Sequence, residues 1–236
     1  MCTVSFVPSN NKIIITSNRD EHVLRKDTIE PKSYLVNTKT VIFPKDNKAG
    51  GTWYVVDEFS NIIVLLNGAK EKHHHRDNYR KSRGLIVLDL ISGNSPLQEW
   101  KKIDLENIEP FTVVLYENQK LFQLQWNEIE KATEELDPNQ SHIWSSSTLY
   151  PEKIRKNRKQ WFKTFLDTKP LVDEDEMLNF HRYTESSNQE NGLVINRNDF
   201  LKTLSITQTI IEDNKVEIRY TDLISEKDFS TTFITV

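Results

Sequence analysis

The sequence predicts a single α+β domain over residues 1–236. Short runs rich in β-branched residues recur along the chain, and turn residues separate them in pairs, which is typical of antiparallel hairpins. Only a few stretches have the apolar spacing of a helix, and no internal repeat or linker divides the chain. A chain of 236 residues is long enough to bury a core of its own.

The first predicted hairpin joins residues 3–8 to residues 12–17. Asn10 and Asn11 lie between the two runs, and asparagine tolerates the positive φ that a tight turn requires. A turn centred there pairs residues whose numbers sum to about 21. Cys2 would then lie opposite Arg19, with Asp20 one step beyond.

The second predicted hairpin joins residues 52–56 to residues 62–66 across the turn 57–61. The second of these runs is apolar throughout, which is typical of a strand buried on both faces. This pairing would bring residues 51–52 beside residues 67–68.

The remaining elements follow the same rules. Further strands are predicted at residues 112–116 with 121–126, at 203–211 with 215–220, and at 231–235. Helices are predicted at residues 76–91, where Leu85, Leu88 and Ile91 would form the apolar face, and at 96–102, 151–166 and 173–180.

Composition excludes several classes of function. The net charge of −4 gives no basic footprint for nucleic acid. No apolar run reaches the roughly 20 residues that span a bilayer, and the polar residues 9–11 interrupt any signal peptide. A single cysteine cannot form an internal disulfide, which agrees with a reducing compartment. We therefore expect a cytoplasmic protein with no membrane span and no nucleic-acid partner.

The position of that cysteine suggests chemistry. If Met1 is removed, Cys2 carries both a thiol and a free α-amine, whose reference pKa of about 7.7–8.0 lets it accept a proton at neutral pH. Arg19 would favour the thiolate, and Asp20 could hold the ammonium or orient the amine. The Asn67 side chain, with a nearby backbone N–H, could stabilise an oxyanion.

Each of these features also has a structural interpretation. A lone cysteine is usually a small buried hydrophobe, Arg19 with Asp20 could be a surface ion pair, and Asn67 precedes a turn glycine. The conjunction of Cys2 with an Arg-Asp pair after a hairpin return favours the functional interpretation. Four of the six glycines are equally consistent with hairpin turns and with a backbone-lined pocket beside Cys2: Gly50, Gly51, Gly68 and Gly84.

Several motifs give the chain a family resemblance. MCT (1–3), SNRDE (17–21), GGTW (50–53) and SRG (82–84) resemble the hallmarks of the NRDE family, also called the transport-and-Golgi-organisation family. LLNGA (65–69), SSSTLY (145–150) and TLSITQTII (203–211) resemble later family segments with departures. The opening also resembles the cysteine N-terminal-nucleophile hydrolases of the bile-salt hydrolase and penicillin acylase type.

The resemblance implies a four-layer αββα sandwich, in which two antiparallel sheets lie between helical layers. It implies hydrolysis of a linear, non-peptide C–N (amide) bond, with Cys2 as the nucleophile, Arg19 and Asp20 as its supports and Asn67 as the oxyanion donor. The ligand would be a small amide or hydrophobic molecule, and no cofactor or metal is expected. A substrate pocket is predicted at four residues of these motifs: Asn18, Gly51, Thr52 and Trp53.

A non-enzymatic carrier is the alternative, because animal relatives are associated with secretion, lipid metabolism and haem movement. His73, His74 and His75 could ligate haem iron, although consecutive residues cannot all face one site and such a run is usually a solvated loop. An interaction protein that kept the hydrolase scaffold is a third hypothesis. His142 and His181 have no partner visible in the sequence, which assigns them no role and leaves the oligomeric state undetermined.

Overall fold

The computed structural model of the chain describes residues 3–169 and 171–235. The described chain forms two compact units. Unit 1 combines the chain up to Lys26 with Asn139–Ile234, and unit 2 comprises Asp27–Pro138. Each unit contains an antiparallel sheet, and both contain helices, so the predicted α+β class is confirmed.

The described strands and helices are numbered in chain order. The strands are β1 (Thr3–Ser9), β2 (Lys12–His22), β3 (Thr28–Val36), β4 (Lys39–Asp46), β5 (Tyr54–Asp57), β6 (Ile62–Asn67), β7 (Phe111–Glu117), β8 (Lys120–Trp126), β9 (Lys131–Leu136), β10 (His142–Ser145), β11 (Asn196–Arg197), β12 (Leu201–Glu212), β13 (Lys215–Asp222) and β14 (Lys227–Ile234). The helices are α1 (Arg83–Ile91), α2 (Pro96–Lys102), α3 (Glu152–Asp167) and α4 (Glu174–Tyr183).

The two sheets differ in how their strands are connected. In unit 1 the strand order is β10-β1-β2-β12-β13-β14, with β11 paired to β12, so β2 and β12 are neighbours despite their separation in sequence. In unit 2 the strands β3 to β9 lie in sequence order, as a meander. None of the helices in the described part of the chain combines the length and apolar character needed to cross a membrane.

The first hairpin has the predicted register. Asn10 and Asn11 adopt φ values of 50° and 61°, the left-handed conformation expected of a two-residue turn. Thr3 pairs with Asn18, so the paired residue numbers sum to 21. The predicted pairing of Cys2 with Arg19 lies outside the described residues.

The other predicted hairpins are also confirmed. β5 pairs with β6 from Tyr54 with Val64 to Val56 with Ile62, and residues 62–66 are buried throughout, as predicted. The β7–β8 hairpin turns through Asn118 and Gln119, and β12 pairs with β13 across residues 213–214.

The helix predicted at residues 76–91 begins only at Arg83. Loop contacts hold the preceding residues: the Arg80 backbone N–H donates to Asn107 O at 2.8 Å, and its guanidinium donates to Asp104 O at 2.7 Å. The predicted apolar face is also displaced, since Ile86 and Leu90 are buried where Leu85 and Leu88 are only half-buried. The other three helices start within one residue of the predictions.

The sequence missed four strands of substantial length, namely β3, β4, β9 and β10. Strand β9 is largely exposed and carries Glu134 and Glu135, so it lacks an apolar alternation. Its pairing with β8 stabilises it as a strand, although its own residues do not predict one.

Candidate active site

The predicted site residues are divided between the two units. Asn18, Arg19 and Asp20 lie on β2 of unit 1, and the predicted residues of unit 2 are Gly51, Thr52, Trp53 and Asn67. Cys2 lies outside the described residues. The roles assigned to all of these residues stay predictions.

Asp20 is a buried carboxylate, 1% exposed. Tyr150 Oη donates a hydrogen bond to its Oδ2 at 2.6 Å, and Thr203 Oγ1 donates to its Oδ1 at 2.5 Å. Thr203 lies opposite Asp20 in the β2–β12 ladder, next to an irregularity between Thr203 and Ser205. The carboxylate is therefore held by hydroxyls that come from two distant parts of unit 1.

Arg19 is also buried, at 2% exposed, but it is held by different groups. Both of its terminal nitrogens donate to the carbonyl of Arg25 at 3.2 Å, at the end of a 3₁₀ turn (Val23–Arg25). Successive side chains of a strand project to opposite faces of the sheet, which is consistent with these separate partners. Arg19 and Asp20 are thus neighbours in sequence that serve opposite faces of β2.

Asn18 is fully buried and connects β2 to α4. Its Nδ2 donates to His181 O at 3.1 Å and to Leu193 O at 2.7 Å, while its Oδ1 contacts His181 Nδ1. The other ring nitrogen, His181 Nε2, lies 2.8 Å from Ser5 Oγ. Asn18 therefore fixes the position of β2 against α4 through every polar atom of its side chain.

His181 is neutral in this network. Burial lowers the pKa of His181 to about 3, and the positive charge of Arg158 acts in the same direction. Because both donors of Asn18 point at carbonyls, its Oδ1 faces the ring, so His181 Nδ1 carries the proton and Nε2 accepts from Ser5.

No partner of His181 is visible in the sequence, and the structure provides Asn18 and Ser5. Its partners lie 163 and 176 residues away along the chain, so no local pattern could have revealed them. The lone histidine within an amphipathic helix was the only available signal, and α4 buries it completely.

Arg158 is a second residue that sequence reasoning missed. It belongs to the basic stretch 155–159 of α3, a composition typical of an exposed helix face, yet Arg158 is 0% exposed. Its guanidinium stacks over the Tyr150 ring, 3.6 Å from the centroid, and contacts Thr3 Oγ1 and Gly192 O. Arg158 therefore joins the start of β1 to the tyrosine that binds Asp20.

In unit 2, the GGTW and SRG motifs meet at their glycines. A Cβ atom on Gly51 would lie 2.4 Å from the carbonyl carbon of Gly84, and Thr52 N donates to Gly84 O at 3.1 Å. Thr52 Oγ1 donates to Pro44 O at 2.7 Å. These glycines permit close approach of the loop to the start of α1.

Trp53 and Asn67 lie at the ends of the β5–β6 hairpin. Trp53 is 3% exposed, and its carbonyl accepts from Leu65 N at 2.9 Å. Asn67 is half-buried and pairs with Phe111 in the ladder, and Gly68 beyond it adopts φ of 81°. The local structure around Asn67 is thus a strand end followed by a turn, as predicted.

The histidine segment, residues 73–75, contacts the carboxylate of Glu109. His73 Nε2 and His75 Nδ1 are 3.1 and 3.3 Å from Glu109 Oε1, and Arg83 Nη2 is 3.0 Å from Oε2, whereas His74 is exposed. Among residues 3–169 and 171–235, no group of three or more His, Cys, Asp or Glu side chains is arranged to hold a metal ion. Haem binding by this segment stays a prediction.

Comparison with solved structures relates the fold to amidases. A Caenorhabditis elegans N-acylethanolamine-hydrolyzing acid amidase ortholog superposes with a TM-score of 0.61 at 12% identity, covering 89% of this chain and 92% of that one. An arginine-to-leucine variant of conjugated bile acid hydrolase from Clostridium perfringens gives a TM-score of 0.55 at 9% identity, covering 100% of this chain and 97% of that one. At these identities the likeness establishes a shared fold and nothing finer.

Sequence comparison identifies the family. A search of curated proteins found no significant match. The profile of the family described as Transport and Golgi organisation 2 matches residues 1–235, which is almost the whole chain. The chain therefore belongs to the Transport and Golgi organisation 2 family, and it has the fold of N-terminal-nucleophile amidases.

Proposed function

We propose that the chain is a cysteine N-terminal-nucleophile amidohydrolase, which cleaves a linear, non-peptide amide bond through an acyl-enzyme. The pairing of Thr3 with Asn18 is the observation that supports the proposal most directly, because it puts the start of β1 beside the strand that carries Arg19 and Asp20. The family and the fold shared with two kinds of amidase support the same reaction class.

The proposed reaction starts with the Cys2 thiol, whose proton passes to the α-amine exposed by removal of Met1. The sulfur attacks the amide carbonyl, and the resulting ammonium returns the proton to the leaving nitrogen as the C–N bond breaks. Water then attacks the thioester, which releases the carboxylic acid and restores the thiol. No cofactor enters the balance of these steps.

The described residues of unit 1 supply a rigid, charged setting for this chemistry. Arg19 is held in place by a backbone carbonyl, and Asp20 by two hydroxyls, so neither charge requires reorganisation when a substrate binds. Fixed charges of both signs near the start of β1 are suited to stabilising a thiolate and an ammonium in turn.

A hydrolysis assay tests the proposal. Protein whose intact mass confirms loss of Met1 is incubated with a long-chain N-acylethanolamine and with a conjugated bile acid, and release of the amine is measured. We expect the wild type to hydrolyse one of these amides, Cys2→Ala to be inactive, and Cys2→Ser to lose most of the rate because an alcohol is the weaker nucleophile.

Two results would count against the proposal. One is full retention of Met1 on protein purified from cells, since the blocked amine could not serve as the base. The other is equal hydrolysis by wild type and Cys2→Ala. Asn67→Ala in the same assay tests the predicted oxyanion donor, for which we expect a loss of kcat of about 10²–10³-fold.

A further inference from the structure

Arg158 is a fully buried side chain. Its contacts are with neutral groups: Thr3 Oγ1, the carbonyls of Asn191 and Gly192, and the ring of Tyr150. Among the residues that the structure describes, no carboxylate lies within ion-pair distance of its guanidinium. Arginine stays protonated in proteins, so a full positive charge is buried here.

Burying such a charge is costly, since desolvation is not repaid by an ion pair. A leucine or methionine on α3 would fill a buried position without that cost. The nearest described link to a negative charge is indirect: the stacked ring of Tyr150 carries the hydroxyl that donates to Asp20 at 2.6 Å. Through Tyr150, the buried charge is connected to the segment that carries Asp20.

The position of Arg158 shows where that charge would act. Thr3 pairs with Asn18 at the start of β1, and Arg158 contacts the hydroxyl of Thr3. Thr3 is the residue bonded to Cys2. The guanidinium therefore anchors the residue next to the proposed nucleophile.

We propose that Arg158 is a positioning residue for the reaction proposed above: it anchors Thr3, and it places a buried positive charge beside the start of β1. The inference rests on the proposed function, in which Cys2 is the nucleophile. It assigns a role in this site to α3, which the sequence did not connect with the chemistry.

On the proposed function, a positive charge close to Cys2 would assist both of its reacting groups. A nearby positive charge favours the thiolate over the thiol, and it disfavours the ammonium over the free amine. The nucleophile and the base would therefore both be more abundant in their reactive forms at neutral pH. Tyr150 would keep the guanidinium and the Asp20 carboxylate apart while holding both.

Arg197 offers a matched control. Its guanidinium lies over the same Tyr150 ring, 5.2 Å from the centroid, but it is paired with Glu190 Oε1 at 3.1 Å. Removing Arg197 therefore removes a ring contact and a neutralised charge. Removing Arg158 removes a ring contact and a charge that no described carboxylate neutralises.

The experiment measures the alkylation rate of Cys2 by iodoacetamide as a function of pH, on full-length protein lacking Met1. Cys2 is the only cysteine, so the measurement is specific to it. For Arg158→Met we expect the midpoint of the profile to rise by about one pH unit. Below both midpoints the rate should fall about three- to fourfold, since the more basic thiolate is also more nucleophilic.

Two further variants separate charge from packing. Arg158→Lys keeps the charge, so we expect its midpoint to return to the wild-type value. Arg197→Met should also match the wild type. Thr3→Val removes the hydroxyl that contacts Arg158 and that also lies 3.5 Å from Ser145 Oγ. We expect an unchanged midpoint but faster amide deuterium exchange in β1.

A midpoint for Arg158→Met equal to that of the wild type would overturn the inference, as would an equal shift in Arg197→Met. If Arg158→Met is not recovered folded, Arg158→Gln replaces it, because glutamine keeps a donor without the charge. Alkylation requires no turnover, so a shifted midpoint in a protein that hydrolyses no amide would refute the proposed function while leaving the electrostatic role of Arg158 standing.

Discussion

The buried residues of β6 and β7 in unit 2 differ in chemical character from those of β2 in unit 1. In unit 2, residues 62–66 of β6 and 113–115 of β7 are buried and entirely apolar. In unit 1, β2 buries Asn18, Arg19 and Asp20 in succession. The buried residues of β6 and β7 are stabilised by removing apolar area from water, whereas those of β2 pair polar groups with specific partners. Unit 1 also contains an apolar cluster, which includes Phe162, Met177 and Phe180.

The difference shows what each unit can tolerate and what it can do. An apolar core accepts changes of side chain that keep its volume, because its stabilisation is not directional. A buried polar network fails when one partner is lost, since the other is left without a hydrogen bond. Such a network also fixes the direction of each charge, which a catalytic site requires. The polar interior is therefore the better candidate for function.

The largest expected effect tests the apolar interior. Leu115→Ala in β7 removes a side chain that is 0% exposed, and we expect the free energy of unfolding to fall by about 2–5 kcal/mol. Urea denaturation measures it. Ile129→Ala is the control, because Ile129 is 85% exposed and should change stability by under about 0.5 kcal/mol. Equal effects of the two variants would contradict an apolar core in this unit.

The next effect concerns the neutral histidine of unit 1. The pKa of His181 is lowered to about 3 by burial, so between about pH 6.5 and 3 the unfolded chain binds a proton that the folded chain does not. Stability contributed by neutral His181 is therefore present above about pH 6.5 and is lost as the pH falls, by about 1.4 kcal/mol per pH unit.

His181→Gln should flatten this dependence by the same amount, as measured by urea denaturation from pH 7 to pH 4. His74→Gln, at an exposed position, should keep the wild-type slope. Parallel curves for the wild type and His181→Gln would show that the ring is protonated or solvated in the folded protein.

A smaller effect compares two threonines of β12. Thr203 Oγ1 donates to Asp20, so Thr203→Val should lower the free energy of unfolding by about 1–3 kcal/mol. Thr207 is fully buried, and its hydroxyl has no hydrogen-bond partner within the described residues. Thr207→Val should therefore raise stability, by about 1 kcal/mol. A loss of stability in Thr207→Val would mean that an ordered water binds the hydroxyl.

The smallest effect is expected at the surface of unit 2. Lys120 and Glu135 form an ion pair of 3.0 Å, with side chains 59% and 56% exposed. Lys120→Ala should change the free energy of unfolding by less than about 1 kcal/mol, and less at high salt. A larger loss of unfolding free energy that does not depend on salt would mean that this surface ion pair stabilises the protein as much as buried residues do.

The hairpins were predictable because their signals are local. Asn10 and Asn11 select the turn, and the register of β1 with β2 follows from that turn without reference to the rest of the chain. The start of α1 was not predictable in this way, since contacts of Arg80 with a loop 24 to 26 residues away keep the preceding segment out of the helix.

The candidate site likewise includes residues that the sequence identifies and residues that it does not. The residues of SNRDE could be identified from the sequence, whereas Arg158 and His181 could not. Arg158 lies in a stretch of lysines and arginines that resembles any solvated helix face, and its contact with Thr3 spans 155 residues. Only the packing of α3 on the sheet distinguishes it from its basic neighbours.

The amino-acid sequence by itself determined the α+β class, the register of the first hairpin and the residues proposed for the chemistry, because turn conformation and side-chain alternation act over a few neighbouring residues. The tertiary structure alone decided which polar groups are buried together. Asp20 acquires its hydroxyl partners from positions 130 and 183 residues away, and such contacts depend on how whole strands and helices pack. Burial and pairing at that range fix the charge state of a side chain, and no local pattern encodes them.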